Sequence, residues 1–112
     1  MSNLPHAENF RGLIVYQKAK QLEREIFQLS KTFPRDEVFS LTSQIRRSLR
    51  SVGANLAEAW AKRRYEKHFI SKLTDADGEQ YETQHWIGTA LDCEYIKPAQ
   101  AALFISRYEE VG

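Results

Sequence analysis

Apolar residues recur along much of the chain at the three-and-four spacing that puts side chains on one stripe of an α-helix. Val15, Ala19, Leu22, Ile26, Leu29 and Phe33 form the first stripe, and Pro34 stops it. Leu41, Ile45, Leu49, Val52, Leu56 and Ala59 form the second, with Ser40 standing where an N-cap is wanted and an end expected near Lys62. A third run, Phe69, Leu73, Ala76, Gln80, Thr83, Ile87 and Leu91, predicts a helix of roughly 40 Å starting near Tyr65, with Gly78 as a weak point inside it. Pro98 suits the first turn of a fourth helix that carries Ala101, Ala102, Phe104, Ile105 and Tyr108 and is cut short by the chain end. No period-two alternation is flanked by hairpin-turn residues, so no sheet is expected. The spacing therefore predicts an all-α protein. It is an antiparallel up-down four-helix bundle with a short fourth helix, one domain over residues 1–112, with residues 1–10 extended or poorly ordered.

Length and composition agree with this reading: 112 residues, 42% hydrophobic and 28% charged, make one core and leave no room for a second domain. A net charge of +1 excludes a strongly basic, tail-driven nucleic-acid binder, but the charge is unevenly spread. Residues 1–45 carry six basic and five acidic side chains, 46–72 carry eight and two, and 73–112 carry two and eight. Cys93 is the only cysteine, so one chain can build neither a disulfide nor a cysteine-based zinc cage. A reducing, cytoplasmic setting is expected. The start resembles no signal peptide and no run is apolar enough to span a membrane.

After the core stripes are assigned, some faces are left over. Tyr16 and Phe27 share a second patch on the first helix, and Ala54, Ala57 and Ala61 gather on the second helix opposite its apolar stripe. A second contact face suits an oligomer, although alanines also serve helix propensity alone. The expectation is a homo-oligomer with Tyr16, Phe27, Ala54, Ala57 and Trp86 as candidate interface residues.

The candidate chemistry is electrostatic. Arg46, Arg47, Arg50, Lys62, Arg63, Arg64 and Lys67 form the best nucleic-acid candidate, because neutralising phosphates needs clustered Lys and Arg. Trp60 and Tyr65 are interleaved with them and could stack unpaired bases. Asp75, Glu79 and Glu82 form an acidic stripe on the third helix that could instead pair with the same arginines, and the sequence leaves both readings open. Glu82-Thr-Gln-His85 has the spacing of a di-iron bundle but occurs once, and Asp75-Ala-Asp-Gly-Glu79 lacks the closing ligands of a calcium loop. No metal, cofactor, phosphate loop or catalytic triad is expected, and the reading is non-enzymatic. The alternative is a protein-interaction scaffold whose charges serve subunit assembly.

Five short motifs in one order carry a resemblance: Phe10-Arg-Gly-Leu-Ile-Val-Tyr-Gln-Lys-Ala19, Phe33-Pro-Arg-Asp-Glu37, Ser43-Gln-Ile-Arg-Arg-Ser48, Asn55-Leu-Ala-Glu58 and Glu82-Thr-Gln84. Together, over Phe10 to about Ile96, the chain resembles the four-helix-bundle proteins encoded in intervening sequences of bacterial 23S ribosomal RNA genes. The resemblance implies an up-down bundle, a ring-like pentamer and no established catalytic activity. The chain is also similar to accessory proteins of diversity-generating retroelements, which implies an RNA or protein partner. It departs from the pattern at Ala59, where glycine is usual, at Asp77-Gly78, which only loosely matches a small pair in the third helix, and at Tyr108-Glu-Glu-Val-Gly112, which resembles the middle of the family's last helix.

Overall fold

The computed structural model describes residues 9–111, which form α1 (Ile14–Ser30), α2 (Leu41–Ala61), α3 (Glu66–Asp92) and α4 (Pro98–Val111), with no strand among them. Most of the expected N-terminal segment, residues 1–8, lies outside the described residues. Its last part is ordered. The Asn9 side chain accepts from the Arg11 N–H and starts a 3-10 turn, Phe10–Gly12, whose Phe10 ring meets Tyr16 edge-on at 5.0 Å.

Consecutive helices run antiparallel, and each packs on two others: α1 on α2 and α4, and α3 on α2 and α4. Two polar contacts give the register of the α2–α3 hairpin. Thr83 donates to the Ser48 hydroxyl at 2.8 Å and Lys72 reaches Glu58 at 2.7 Å. Leu22, Ile26, Ile45, Leu49, Val52 and Ile87 fill the centre and are almost wholly excluded from solvent. Each such side chain contributes about 1.5–3 kcal/mol through burial. Tyr108 anchors α4 in the same core, and burial pushes its phenol well above its ordinary pKa.

The helix ends depart from expectation in three places. α1 stops at Ser30 rather than Phe33, because the Thr32 and Phe33 N–H groups bond carbonyls only three residues back, those of Leu29 and Ser30, and close a turn. Phe33 stays buried regardless and packs on Tyr95. Ser40 occupies the N-cap position of α2 but caps nothing, since its hydroxyl donates to Glu37 Oε1 at 2.6 Å. Glu37 also accepts from the Tyr95 hydroxyl at 2.7 Å. The Ser40 and Tyr95 hydrogen bonds hold its carboxyl below the usual range, and the same carboxylate raises Tyr95 to about 12. The third departure is at the end of α3. The Tyr95 N–H bonds the Ala90 carbonyl and the Glu94 N–H that of Leu91, with Glu94 at φ 62°, so a glutamate holds the left-handed position where glycine is usual.

α3 runs unbroken through Gly78, and α2 continues through the buried Ala59 to Ala61. The third apolar stripe, however, is buried only from Ala76 onward: Phe69 is half-buried and Leu73 is 37% exposed. Among the described residues, no part of α4 covers this stretch of α3. α4 ends at Val111, and a groove of about 320 Å³ opens there between Val15, Leu56, Ile70, Leu73, Ala76 and Val111. Beyond it the tip of the α2–α3 hairpin overhangs the rest of the bundle, and no residue from Trp60 to Asp75 is buried.

Candidate nucleic-acid interface

The three arginines of α2 do not act as one patch. Arg47 turns toward α3, where its guanidinium donates to Glu79 at 3.3 Å and pairs with Glu82. Burial pushes the Glu82 carboxyl up, but the Trp86 indole N–H at 3.1 Å and the Arg47 guanidinium outweigh it and hold that carboxyl below its ordinary value. Desolvation would lower Arg47, and the two glutamates outweigh that in turn, so its charge is held more firmly. Arg47 is therefore an internal ion-pair partner of the acidic stripe. Asp75, the third member of that stripe, lies 3.9 Å from Lys72 instead.

Arg46 and Arg50 turn the other way, toward α1. Their guanidinium carbons lie 4.7 and 5.3 Å from the centroid of the Phe27 ring, and Lys31 Nζ lies 5.1 Å from the same centroid. Arg46 is oriented by a relay: its Nε donates to the Ser30 hydroxyl at 2.8 Å, and that hydroxyl donates to the Phe27 carbonyl at 2.6 Å. Ser30 itself is only 2% exposed. None of the three cations has a carboxylate within 4 Å among the described residues. Lys31 escaped the sequence reading, although its place four residues after Phe27, one turn on, was a usable signal.

The second region is the turn between α2 and α3. Lys62, Arg64 and Lys67 are exposed there and make no ion pair among the described residues. Arg63 stacks on Trp60, with its guanidinium carbon 4.2 Å from the ring centroid, and donates to the Trp60 carbonyl at 2.9 Å. Tyr65 is 64% exposed, with His68 edge-on to it at 6.2 Å. The seven candidate residues thus divide into Arg46 and Arg50 on the α1 side, Lys62, Arg63, Arg64 and Lys67 at the hairpin tip, and Arg47 between α2 and α3.

The candidate interface residues divide as well. Tyr16, Phe27 and Trp86 are half-buried, and Tyr16 and Trp86 pack on the chain's own core. Ala57 is half-buried, while Ala54 and Ala61 are exposed. Large apolar side chains are uncovered elsewhere, at Ile70, Leu73 and Tyr81 on α3, at Ile14 and Leu103, and above all at Phe39. Glu82 is engaged by Arg47 and Trp86, and His85 lies edge-on to Trp86 at 4.7 Å. Among the described residues no three His, Cys, Asp or Glu side chains gather as a metal site. No helix among them is long and apolar enough to cross a membrane.

Fold and surface together define the class, an up-down four-helix bundle in which seven of the cations without an ion pair among the described residues are gathered in two regions, one on its flank and one at its tip. The chain belongs to the 23S rRNA-intervening sequence protein family, whose model matches residues 11–112. It is similar to a protein of unknown function from the S23 ribosomal protein family of Bacteroides thetaiotaomicron VPI-5482, solved at 1.70 Å. That similarity has a TM-score of 0.78 and 30% identity over 88% of each chain. No curated protein matches it.

Proposed function

We propose that this protein is a non-enzymatic, oligomeric bundle that binds RNA, with the hairpin tip as its main contact. The observation that supports this reading is the composition of the tip. Lys62, Arg63, Arg64 and Lys67 lie beside Trp60 and the exposed Tyr65, and no ion pair neutralises them among the described residues. Clustered cations neutralise phosphates and adjacent aromatic faces stack unpaired bases, the combination that single-stranded nucleic acid requires. An oligomer repeats the tip, so a weak site gains strength by multivalency. A ring-like pentamer follows from the family resemblance.

The test is binding of single-stranded RNA by fluorescence anisotropy across a salt series. Binding should weaken steeply with salt, and R63E/R64E should abolish it without lowering Tm, since both side chains lie outside the core. Absent or salt-independent binding overturns the reading. Light scattering tests the assembly, and a monomer mass removes the multivalent part.

The second reading, a scaffold for protein contacts, is favoured by the uncovered Ile70, Leu73 and Tyr81 on α3. Its mark is a partner retained in a pull-down after nuclease treatment.

A further inference from the structure

We propose that Lys31, Arg46 and Arg50 form, around Phe27, a site for a doubly charged phosphate group, separate from the hairpin tip. Three cations at 4.7 to 5.3 Å from one ring centroid can be no further apart in any pair than about 10 Å, roughly a Debye length at 0.1 M salt. Exposed charges at that limit are largely screened and closer ones repel, and an anion placed among them would offset the repulsion. The protein supplies none among the described residues: Glu23, one turn before Phe27 on α1, is held by Lys20 at 2.8 Å, and the acids of α3 are on the far side of α2 with Arg47.

Arg46 is also held in place in advance. The relay from Arg46 Nε through the buried Ser30 hydroxyl to the Phe27 carbonyl fixes the guanidinium stem. It uses one of five N–H donors and leaves the terminal nitrogens for a ligand. Two guanidinium forks suit the oxygens of a phosphate, and Lys31 adds a point charge. The charge count selects among anions. Three positive charges match a phosphate monoester, which carries nearly two negative charges at neutral pH, better than a phosphodiester or a carboxylate, which carries one. The ligand is therefore a terminal phosphate, on the end of an RNA strand or on a free phosphate compound. Only the RNA source rests on the function proposed above.

Two experiments on the full chain test this. In the first, inorganic phosphate replaces chloride at matched ionic strength, while Tm and the side-chain Nε signals of Arg46 and Arg50 are followed by NMR. Phosphate should raise Tm and move both signals, and K31Q or R50Q should each weaken the response about tenfold, as loss of one charge-assisted hydrogen bond does. In the second, one short single-stranded RNA is compared with a 5′-phosphate and with a 5′-hydroxyl. The phosphorylated strand should bind about tenfold tighter, R50Q should erase that ratio, and K62Q at the hairpin tip should weaken both strands and leave it intact.

A phosphate response with no difference between the two RNAs supports the site and assigns it to free phosphate compounds. No phosphate response overturns it, whether or not RNA binds at the tip. A charge reversal, R50E, that changes the solution mass of a protein unresponsive to phosphate overturns it too, and gives the cations to carboxylates of a second copy.

Discussion

On the side of α2 that meets α3, polar groups find partners within the chain: Arg47 with Glu79 and Glu82, Ser48 with Thr83, and Glu58 with Lys72. On the side that meets α1, Arg46 and Arg50 share the Phe27 ring with Lys31 and meet no carboxylate among the described residues. Arg46 and Arg47 are adjacent, so a rotation of about 100° separates a charge paired with carboxylates of α3 from one set against the Phe27 ring. The contrast teaches that a basic cluster in a helical sequence must be divided by neighbour before it is assigned a role.

Substitutions on the two sides should separate these roles, and the largest effect belongs to the α3 side. Thr83→Val keeps the shape of the side chain but removes the hydroxyl donor to Ser48 in a site without solvent. It should cost about 1–2 kcal/mol in chemical denaturation, and adding Ser48→Ala should recover part of that because both polar partners are then gone. Arg47→Glu faces Glu79 and Glu82 with a like charge and should cost about 1 kcal/mol, limited by the partial exposure of the pair, while RNA affinity stays within a factor of two or so. If R47E abolished RNA binding with stability unchanged, the division between the two sides would fail.

The same pairing gives the α3 side an acid sensitivity. The Glu82 carboxyl is held below its ordinary 4.5, as is that of Glu25, where Arg107 donates at 2.8 Å. A depressed carboxyl contributes stability that is present above its unfolded pKa. That contribution is lost as the pH falls below about 4.5 and through the lower folded value. Thermal melts should therefore fall over that window; E82Q should flatten the part that comes from the α3 side, and E25Q the part that comes from the α1–α4 pair.

The α1 side should respond weakly, and one change there should have the opposite sign. A Cβ at Gly53 would meet Tyr16 at 3.6 Å and Glu23 at 3.8 Å, ordinary contact distances. Gly53→Ala should then raise stability by about 0.5–1 kcal/mol through helix propensity and a less flexible unfolded chain. The smallest effect is that of Arg50→Gln, within about 0.5 kcal/mol of wild type. Differential scanning calorimetry of both variants checks the pair.

Helix existence and order were legible because the stripes from Val15, Leu41 and Ala76 onward do line the core. What was not legible depended on other segments. Leu73 continues the third stripe, but its cover has to come from another segment, and spacing within α3 does not say which. Spacing gives the angle between Arg46 and Arg47 but not which helix lies on either side, so ion pair and phosphate site could not be separated. Phe27 was visible as an extra apolar position, yet its neighbours come from the start of α2 and from Lys31 at the end of α1. Glu94 gave no signal at all, since a left-handed cap is read from glycine and none stands there.

The overhang of the α2–α3 hairpin has a kinetic consequence. Charges carried on a projecting tip extend their field into solvent ahead of the bundle, where they meet an approaching polyanion first. On the proposed function, Lys62, Arg64 and Lys67 should set how fast RNA arrives, with a steep dependence of the association rate on ionic strength. On the phosphate site proposed, the cations around the half-buried Phe27 should govern how long it stays. Stopped-flow mixing of tip and flank variants would then show two separable signatures, a change in encounter rate for one and in residence time for the other.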